Sequence, residues 1–251
     1  MGTLTGKTAV VLGASGDASF GSATARRLAA EGANVVVSAR RKEPLESLAA
    51  EIGGLAVACD VTDENQIEQL FAAATAEYGN VDIALYSAGV HAADPIAELN
   101  ADMIRPTLEV SFIGALLFFK HAAASMNEGG SVITVSSLTA RIPGPTMSVY
   151  SAARAGIDYA IKVAAMEYAD RKVRFNSIAA GLIETDMTSG FFSMEPIIQA
   201  HIDATPAGRM GTLDDMAEAV LFLADDVRSG YINGQVLDLA GGQQMGHLPR
   251  F

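Results

Sequence analysis

The sequence predicts an α/β fold in which a doubly wound, parallel sheet of about seven strands is covered by helices on both faces. Short runs rich in β-branched residues alternate with longer segments of helical periodicity along the 251 residues. Half of the residues are apolar and only 18% are charged, which is typical of a parallel sheet buried on both faces. Since no Pro- or Ser-rich linker divides the chain, residues 1–251 are predicted to form one domain.

The strands are predicted from the β-branched runs, and the helices from the signals at their ends. Gly32 and Gly79 each follow an apolar-periodic segment as C-terminal caps, and Asp63 with Gln66 three residues later resembles a capping box. The least regular region is 186–206, so a lid is predicted there. In chain order, the predicted strands are residues 8–12, 35–38, 55–58, 82–86, 132–136, 173–178 and 235–239.

The charge balance and the single cysteine exclude several classes of function. A net charge of −12 argues against nucleic acid as a partner, because proteins that bind a phosphate backbone need clustered Lys and Arg. Cys59 has no second cysteine with which to form an internal disulfide. No stretch is apolar over the roughly 20 residues of a membrane span, and residues 1–7 lack the pattern of a signal peptide. We therefore expect a soluble, cytoplasmic protein that acts on a small molecule, with no membrane partner and no metal.

The first strand leads into a turn of small residues, 13–21, that opens a helix. Such a turn lets a pyrophosphate approach the backbone amides at the helix N-terminus, where the helix dipole favours negative charge. The alternative is a tight turn that only packs the strand on the helix. The nucleotide-binding interpretation assigns cofactor contacts to Gly13, Ser15, Ser19, Phe20 and Gly21.

The end of the second strand, residues 38–42, is basic and has no Asp or Glu to hold a ribose 2′-hydroxyl. Arg40 can instead form bidentate bonds to a 2′-phosphate, which favours NADP(H) over NAD(H) as the cofactor. Asp17 in the glycine turn weakens this preference. After the third strand, Asp60 and Val61 are placed to meet the adenine, with Asp60 accepting from its amino group. The alternatives are a solvated helix start for the basic run and a helix-leading role for Asp60.

Together with these turns, four further motifs resemble the classical short-chain dehydrogenase/reductase family over nearly the whole chain. Residues 86–89 stand where the family has Asn-Asn-Ala-Gly, and Ser137 ends the fifth strand with twelve residues between it and Tyr150. Residues 180–185 are similar to the family's Pro-Gly motif, and residues 234–242 to its last strand. The resemblance implies a Rossmann-type fold and further cofactor contacts from Ala88, Gly89, Ile183 and Thr185.

The resemblance also implies a reaction, the NAD(P)(H)-dependent interconversion of a carbonyl and an alcohol. It assigns Ser137 to orient and polarise the substrate oxygen. It assigns Tyr150 to exchange a proton with that oxygen while the nicotinamide exchanges a hydride. Because a tyrosine has a pKa of about 10, a nearby cation must stabilise its phenolate for this role.

Substrate and assembly are predicted less directly. Apolar residues in the predicted lid, among them Phe191 and Ile197, indicate a small, apolar substrate, although they could equally close the domain or a subunit contact. His91 is interpreted as a loop residue, because Tyr150 already fills the acid-base role. The resemblance implies a homotetramer or homodimer built on the last strand and on the helices that carry Ser111 and Tyr150.

Two positions depart from the family pattern. Arg154 stands four residues after Tyr150, where the family has lysine. A guanidinium on that helical face can lower the pKa of the tyrosine and reach ribose hydroxyls, but it is a poor proton shuttle. Lys162 lies too far along the helix to replace the lysine. Ser111 stands where the family has a helix asparagine, and it either holds a relay water or has no role. The predicted catalytic residues are Ser137, Tyr150, Arg154 and Ser111, of which Tyr150 and Arg154 also contact the cofactor.

Ser137, Tyr150 and Arg154 also resemble the active set of halohydrin dehalogenases, which use the same fold without a nicotinamide cofactor. In those enzymes an arginine-activated tyrosine takes a proton from a halohydrin, and the alkoxide displaces halide to give an epoxide. They fill the nicotinamide space with a bulky residue where this chain has the small Ser19, and Arg40 would have no use without a cofactor. The redox interpretation is therefore favoured. A cofactor-independent dehalogenase and a non-catalytic nucleotide-binding protein are the alternatives.

Overall fold

The computed structural model describes residues 2–246, and within them lies one parallel sheet. Its strands are β1 (Thr8–Leu12), β2 (Asn34–Ala39), β3 (Leu55–Ala58), β4 (Ile83–Tyr86), β5 (Gly130–Ser137), β6 (Val173–Ala180) and β7 (Val236–Leu239). Their order across the sheet is β3-β2-β1-β4-β5-β6-β7, and every neighbouring pair is parallel. The predicted doubly wound α/β fold is confirmed, since the strand order reverses between β1 and β4.

Helices cover both faces of this sheet. They are α1 (Phe20–Ala30), α2 (Lys42–Ile52), α3 (Glu64–Tyr78), α4 (Ala101–Leu108), α5 (Gly114–Ser125), α6 (Ser148–Glu167), α7 (Ser189–Phe192), α8 (Glu195–Ala204), α9 (Leu213–Ala224) and α10 (Asp226–Ser229). On one face, Leu28 of α1 and Val220 of α9 belong to one apolar cluster. On the other face, Phe71 of α3, Phe118 of α5 and Ile157 of α6 belong to a second. Alternate residues of each strand face the two clusters, which is why the central strands are apolar along their length.

All seven predicted strands are present in the sheet. The strands at 8–12 and 55–58 have the predicted bounds, and the other five begin and end within two residues of the predicted positions. The β-branched runs were sufficient for this prediction, because strands that are covered on both faces are rich in apolar and β-branched residues.

Only one of the two hydrogen bonds of the predicted capping box at the start of α3 is present. Asp63 does cap the helix, by accepting a hydrogen bond from the backbone N–H of Asn65 at 3.0 Å. Gln66 does not return a bond to the Asp63 backbone, as a capping box requires. Its Oε1 accepts from the backbone N–H of Asp60 at 2.9 Å instead. The glutamine therefore ties the turn after β3 to the first turn of α3.

Two further local predictions are corrected by the structure. Gly79 caps α3 as predicted, but Glu31 is the cap residue of α1, and Gly32 follows it with a φ of +89°. The segment 186–206, predicted as the least regular part of the chain, contains the helices α7 and α8. Helix α8 begins with a proline in its first turn, a position where the fixed φ of proline favours a helix start.

The expectation that no segment is apolar enough to span a membrane is also corrected. By length and composition, the helical run Ala101–Ser125 could do so, with a mean hydropathy of 1.3. In this fold its α5 part buries Ala115, Phe118 and Ala122 in the cluster beneath the sheet. A core helix of a globular protein has the same composition, so the run is accounted for by packing.

The close approach of α1 to the loop after β1 depends on a glycine. A Cβ atom built at Gly21 would lie 2.6 Å from the carbonyl carbon and oxygen of Gly13, both of which are backbone atoms. No flexible side chain is available to move away from it. Gly21 thus lets α1 begin directly against the loop.

We expect Gly21→Ala to lower the free energy of unfolding by about 1–3 kcal/mol, the usual range for forced overpacking. Chemical denaturation followed by far-UV circular dichroism measures this change. Gly190→Ala is the matched control, because a Cβ at Gly190 would meet no heavy atom within 4 Å. An equal loss of stability in both variants would show that the backbone contact at Gly21 is not the cause.

Candidate active site

A cavity of about 670 Å³ opens at the carboxyl edge of the sheet. This is the edge at which doubly wound folds bind ligands, because the connections leave the sheet there in opposite directions. Two predicted site residues, Gly21 and Ser111, do not line the cavity. The predicted residues that do line it are Gly13, Ser15, Ser19, Phe20, Arg40, Asp60, Val61, Ala88, Gly89, Ser137, Tyr150, Arg154, Ile183 and Thr185.

The loop after β1 brings backbone rather than side chains to the cavity. Gly13 has a φ of +98°, and a Cβ there would lie 2.4 Å from Ser87 Oγ. Ser19 is the N-cap of α1, and its Oγ accepts from the backbone N–H of Ser22 at 3.1 Å. The side chain of Ser22 in turn accepts from the Ser19 backbone, which completes a capping box. The N-terminus of α1 therefore lies at the cavity, as the sequence predicted.

The basic residues after β2 form one end of the cavity. Arg40 and Arg41 both line it, and Arg41 Nη2 donates to the carbonyl oxygen of Ser15 at 2.6 Å. The pKa of Asp60 is lowered first by the backbone N–H of Thr62, and more weakly by the charge of Arg40. Sequence analysis missed Arg41 as a site residue, because a run of basic residues does not reveal which of its members face a cavity.

The hydroxyl groups predicted to act on the substrate line the part of the cavity that follows β5. Ser137 is the last residue of β5, and its Oγ accepts from the backbone N–H of Thr139 at 3.2 Å and from Thr139 Oγ1 at 3.0 Å. Tyr150 lies in the first turn of α6. The ends of a strand and a helix thus bring both side chains to one cavity, as the sequence predicted.

Arg154 lies one helical turn after Tyr150 and is almost completely buried, with 4% of its surface exposed. Its Nη1 donates to the carbonyl oxygen of Val135 at 2.9 Å, and its Nη2 approaches that of Ala88 at 3.5 Å. Its Cζ lies 5.1 Å from the centre of the Tyr150 ring. A cation at this distance from an aromatic ring is attracted to the face of the ring. The guanidinium is therefore fixed by backbone carbonyls beside the tyrosine.

The structure places Ser111, which was predicted as a catalytic residue, outside the lining of the cavity. Ser111 lies in a π-helical turn, Glu109–Ile113, between α4 and α5, and it is fully buried. Its Oγ accepts a hydrogen bond from the backbone N–H of Val90 at 3.2 Å. The hydroxyl is thereby engaged in holding the loop after β4, so we assign it no contact with the substrate.

His91 was interpreted as an ordinary loop residue, but it lines the cavity. Its ring centre lies 5.3 Å from that of Tyr150 and 6.0 Å from that of Phe191 in α7. Burial lowers the pKa of its imidazole, which keeps the ring neutral. The available signal in the sequence was its place two residues after Gly89, in a loop that leaves the carboxyl edge of the sheet.

Comparison with known proteins identifies the family. A family model described as Enoyl-(Acyl carrier protein) reductase matches residues 13–244. This chain belongs to the short-chain dehydrogenase/reductase family. An uncharacterised oxidoreductase from Methylorubrum extorquens is 36% identical to this dehydrogenase/reductase over 252 residues, with 96% of this chain and 99% of that protein covered. Carbonyl reductase family member 4 from Xenopus tropicalis is 34% identical, with 92% of this chain and 95% of that protein covered.

A solved structure agrees with these relatives. The crystal structure of a putative gluconate dehydrogenase from Agrobacterium tumefaciens superposes with a TM-score of 0.91 at 28% identity, over 96% of this chain and 97% of that one. The chain is thus an NAD(P)(H)-dependent oxidoreductase that interconverts a carbonyl and an alcohol. These relatives do not favour the dehalogenase or the non-catalytic alternative.

The cavity of this dehydrogenase/reductase fits a nicotinamide dinucleotide. Arg40 and Arg41 follow β2, whereas Ser137 is the last residue of β5, and three strand spacings of about 4.8 Å each separate these strands. The backbone of the loop at Gly13 lies between them, after β1. Along the cavity, the arginines come first, the backbone amides of the Gly13 loop second and the hydroxyl of Ser137 third. A dinucleotide presents its ribose 2′-phosphate, its pyrophosphate and its nicotinamide in the same order. Among residues 2–246, no three His, Cys, Asp or Glu side chains are grouped so as to hold a metal ion.

We expect Gly89→Ala to reduce turnover at least tenfold while leaving the fold intact. A Cβ at Gly89 would lie 2.0 Å from Arg154 Nη2, so the buried guanidinium would have to leave its place beside Tyr150. Steady-state kinetics and circular dichroism measure the two effects. Gly190→Ala is again the control, since it adds a methyl group in open space. Unchanged turnover in Gly89→Ala would mean that the position of Arg154 is not needed for the reaction.

Proposed function

We propose that this protein is an NADP(H)-preferring carbonyl reductase or alcohol dehydrogenase that acts on a small, apolar substrate. The observation that carries the cofactor preference is the pair Arg40 and Arg41, which line the cavity beyond β2. Two guanidinium groups can pair with a ribose 2′-phosphate. An NAD-specific site would instead place a carboxylate at this position to accept from the 2′-hydroxyl.

The predicted cofactor residues divide along the cavity into three groups. Arg40, Asp60 and Val61 would meet the adenosine, with Asp60 Oδ1 already accepting from Thr62 at 3.0 Å through the backbone N–H. The α1 N-terminus and its loop residues Gly13, Ser15, Ser19 and Phe20 would meet the pyrophosphate. The residues placed for the nicotinamide half are Ala88, Gly89, Tyr150, Arg154, Ile183 and Thr185.

Tyr150, Ser137 and Arg154 have separate tasks in this proposal. The bound nicotinamide supplies or accepts the hydride at the reacting carbon. Ser137 donates a hydrogen bond to the substrate oxygen and orients it. Tyr150 gives its phenolic proton to that oxygen during reduction and takes it back during oxidation. Arg154 keeps its own proton, because a guanidinium is not deprotonated in proteins, and it acts through the positive charge that it holds 5.1 Å from the centre of the Tyr150 ring.

The apolar substrate is supported by the lining of the cavity near Tyr150. That lining includes Ile142, Met147, Leu182, Met187, Phe191 and Ile197. Three of these residues, Met187, Phe191 and Ile197, belong to segment 186–206, which we propose as a lid within the single domain 1–251. A lid of this kind would close apolar side chains over the substrate and exclude water.

We also propose a soluble, cytoplasmic homotetramer or homodimer. Large apolar side chains are exposed on two surfaces of the chain. Tyr159 and Met166 of α6 are 70% and 80% exposed, and Val227 and Tyr231 near β7 are more exposed still. Exposed apolar groups of this size are typical of surfaces that are covered by another subunit.

The arginine pair predicts a preference for NADPH over NADH. Titration of the protein with each nucleotide, followed by nicotinamide fluorescence, measures this preference. We expect tighter binding of NADPH, and a loss of that preference by at least tenfold in the double variant Arg40→Ala/Arg41→Ala. Lys42→Ala is the control, because Lys42 carries the same charge but lies outside the cavity lining, paired with Glu46. An effect of Lys42→Ala about half as large as that of the double variant, which removes two charges, would show that only net charge matters. Failure to bind either nucleotide would instead point to the halohydrin dehalogenase set, and binding without turnover to a non-catalytic role.

We expect Tyr150→Phe to bind the nucleotide as the unaltered protein does. Its turnover of a ketone with NADPH should be about 10²–10⁴-fold slower, which is the range expected when a general acid is removed. The phenylalanine retains the ring contacts and removes only the proton donor. Single-turnover kinetics measure the chemical step. Tyr159→Phe removes a phenol from the exposed part of the same helix and serves as control. A rate in Tyr150→Phe within threefold of the unaltered protein would contradict the assignment.

A further inference from the structure

His91 occupies a position in the cavity that the proposed mechanism does not use. Its imidazole lies between the catalytic tyrosine and the proposed lid, with ring centres 5.3 Å from Tyr150 and 6.0 Å from Phe191. The contact with Phe191 is edge to face, at 78°. A substrate that reaches Tyr150 beneath Phe191 therefore has to pass close to this ring.

The position of His91 is set by buried groups on both sides of its loop. The backbone N–H of Val90 donates to the buried hydroxyl of Ser111 at 3.2 Å. Gly89, one residue earlier, lies so close to Arg154 that no side chain fits between them. The two residues before His91 are thus held by the π-helical turn and by the buried guanidinium. This anchoring makes the ring a defined part of the cavity wall.

His91 has hydrogen-bonding capacity that the protein does not use. In the part of the chain that the structure describes there are three histidines. His121 pairs with Glu64 at 3.2 Å, and His201 pairs with Gln243 at 3.2 Å, whereas His91 has aromatic contacts alone. Because burial keeps it neutral, its ring offers one donor and one acceptor nitrogen. Neither nitrogen has a hydrogen-bond partner within residues 2–246, so both are available to a ligand in the cavity.

The charges around the cavity restrict what that ligand can be. Within residues 2–246, the cations that line the cavity are Arg40, Arg41 and Arg154. The first two follow β2, three strands away from Ser137, and the third is buried against backbone carbonyls. Asp186, at the start of the lid segment, adds a negative charge to the lining. A carboxylate near Tyr150 would lose its hydration with no compensation beyond Arg154, whose Nη1 is already bonded to the carbonyl oxygen of Val135, and this is costly.

We propose that His91 is a specificity-determining residue that selects uncharged substrates with a second polar group a few ångströms from the reacting carbonyl. Its neutral imidazole hydrogen-bonds that group, and the apolar remainder of the substrate lies against Phe191 and Met147. The substrate class is therefore an uncharged ketone that carries an ester, amide or hydroxyl group. This inference rests on the proposed function, because it takes Tyr150 as the group that meets the carbonyl.

Three cyclohexanones with the same ring and the same reacting carbonyl test the proposal. Methyl 4-oxocyclohexanecarboxylate is uncharged and has a second polar group, 4-oxocyclohexanecarboxylate is anionic, and 4-methylcyclohexanone has no second polar group. The unaltered protein is expected to have at least a tenfold higher kcat/KM for the ester than for either of the others. A tenfold ratio corresponds to about 1.4 kcal/mol.

Two variants at position 91 separate hydrogen bonding from ring packing. His91→Phe keeps an aromatic ring between Tyr150 and Phe191 but cannot hydrogen-bond, so it should lose the preference for the ester through a raised KM, with kcat changed less than threefold. His91→Gln restores a donor and an acceptor and should recover part of the preference. His121→Gln is the control, because this imidazole lies outside the cavity lining. Circular dichroism and the dissociation constant for NADPH report whether each variant is intact.

Dissociation constants of the same three ketones, measured by calorimetry on the NADP⁺-loaded protein, give the comparison without turnover. Binding with the expected order but no reduction would contradict the proposed function and support the role of His91. Three results would overturn the inference. They are tighter binding of the acid than of the ester, no binding of the ester, or the same loss of affinity for all three compounds in His91→Phe.

Discussion

Burial of a seven-stranded parallel sheet on both faces is the constraint on which the rest of this structure depends. Because every strand runs in the same direction, all the carboxyl ends lie at one edge, and the loops that leave them share one cavity. The turn after β1, the basic residues after β2 and the serine at the end of β5 are distant in sequence and adjacent in space for this reason. The apolar side chains of the strands pack in the two cores, and the site forms where the parallel strands end at one edge of the sheet.

Arg154 shows how this scaffold accommodates an unusual residue. A guanidinium with 4% exposure would be costly without partners, and backbone carbonyls supply them for Nη1 and Nη2, whereas the buried Nε has no hydrogen-bond partner among the described residues. The absence of a side chain at Gly89 provides the space. Charge beside Tyr150 is thus retained where the family has a lysine, but the group is held in place and does not exchange protons. The loop that carries His91 is fixed by the same contact and by Ser111.

The motifs that line the cavity could be predicted from the sequence because each requires a particular residue type at a particular strand end. Gly13, Ser19 and Arg40 are examples, and all three line the cavity. Ser111 could not be placed in this way, since a serine within a helical segment does not reveal that a π-helical turn directs it towards Val90. Arg41 was missed because a basic run leaves open which side chains face inward.

The fold class, the seven strands and the family could be predicted from residue order alone, because they follow from periodicity and from short motifs that are local in the chain. The same is true of the spacing that puts Arg154 one helical turn after Tyr150. The packed structure was needed to show what that arginine contacts, that Ser111 lies outside the cavity lining, and that His91 contacts both Tyr150 and Phe191. Contacts of this kind join residues far apart in sequence, and they depend on how α6, α7 and the loop after β4 pack on one edge of the sheet.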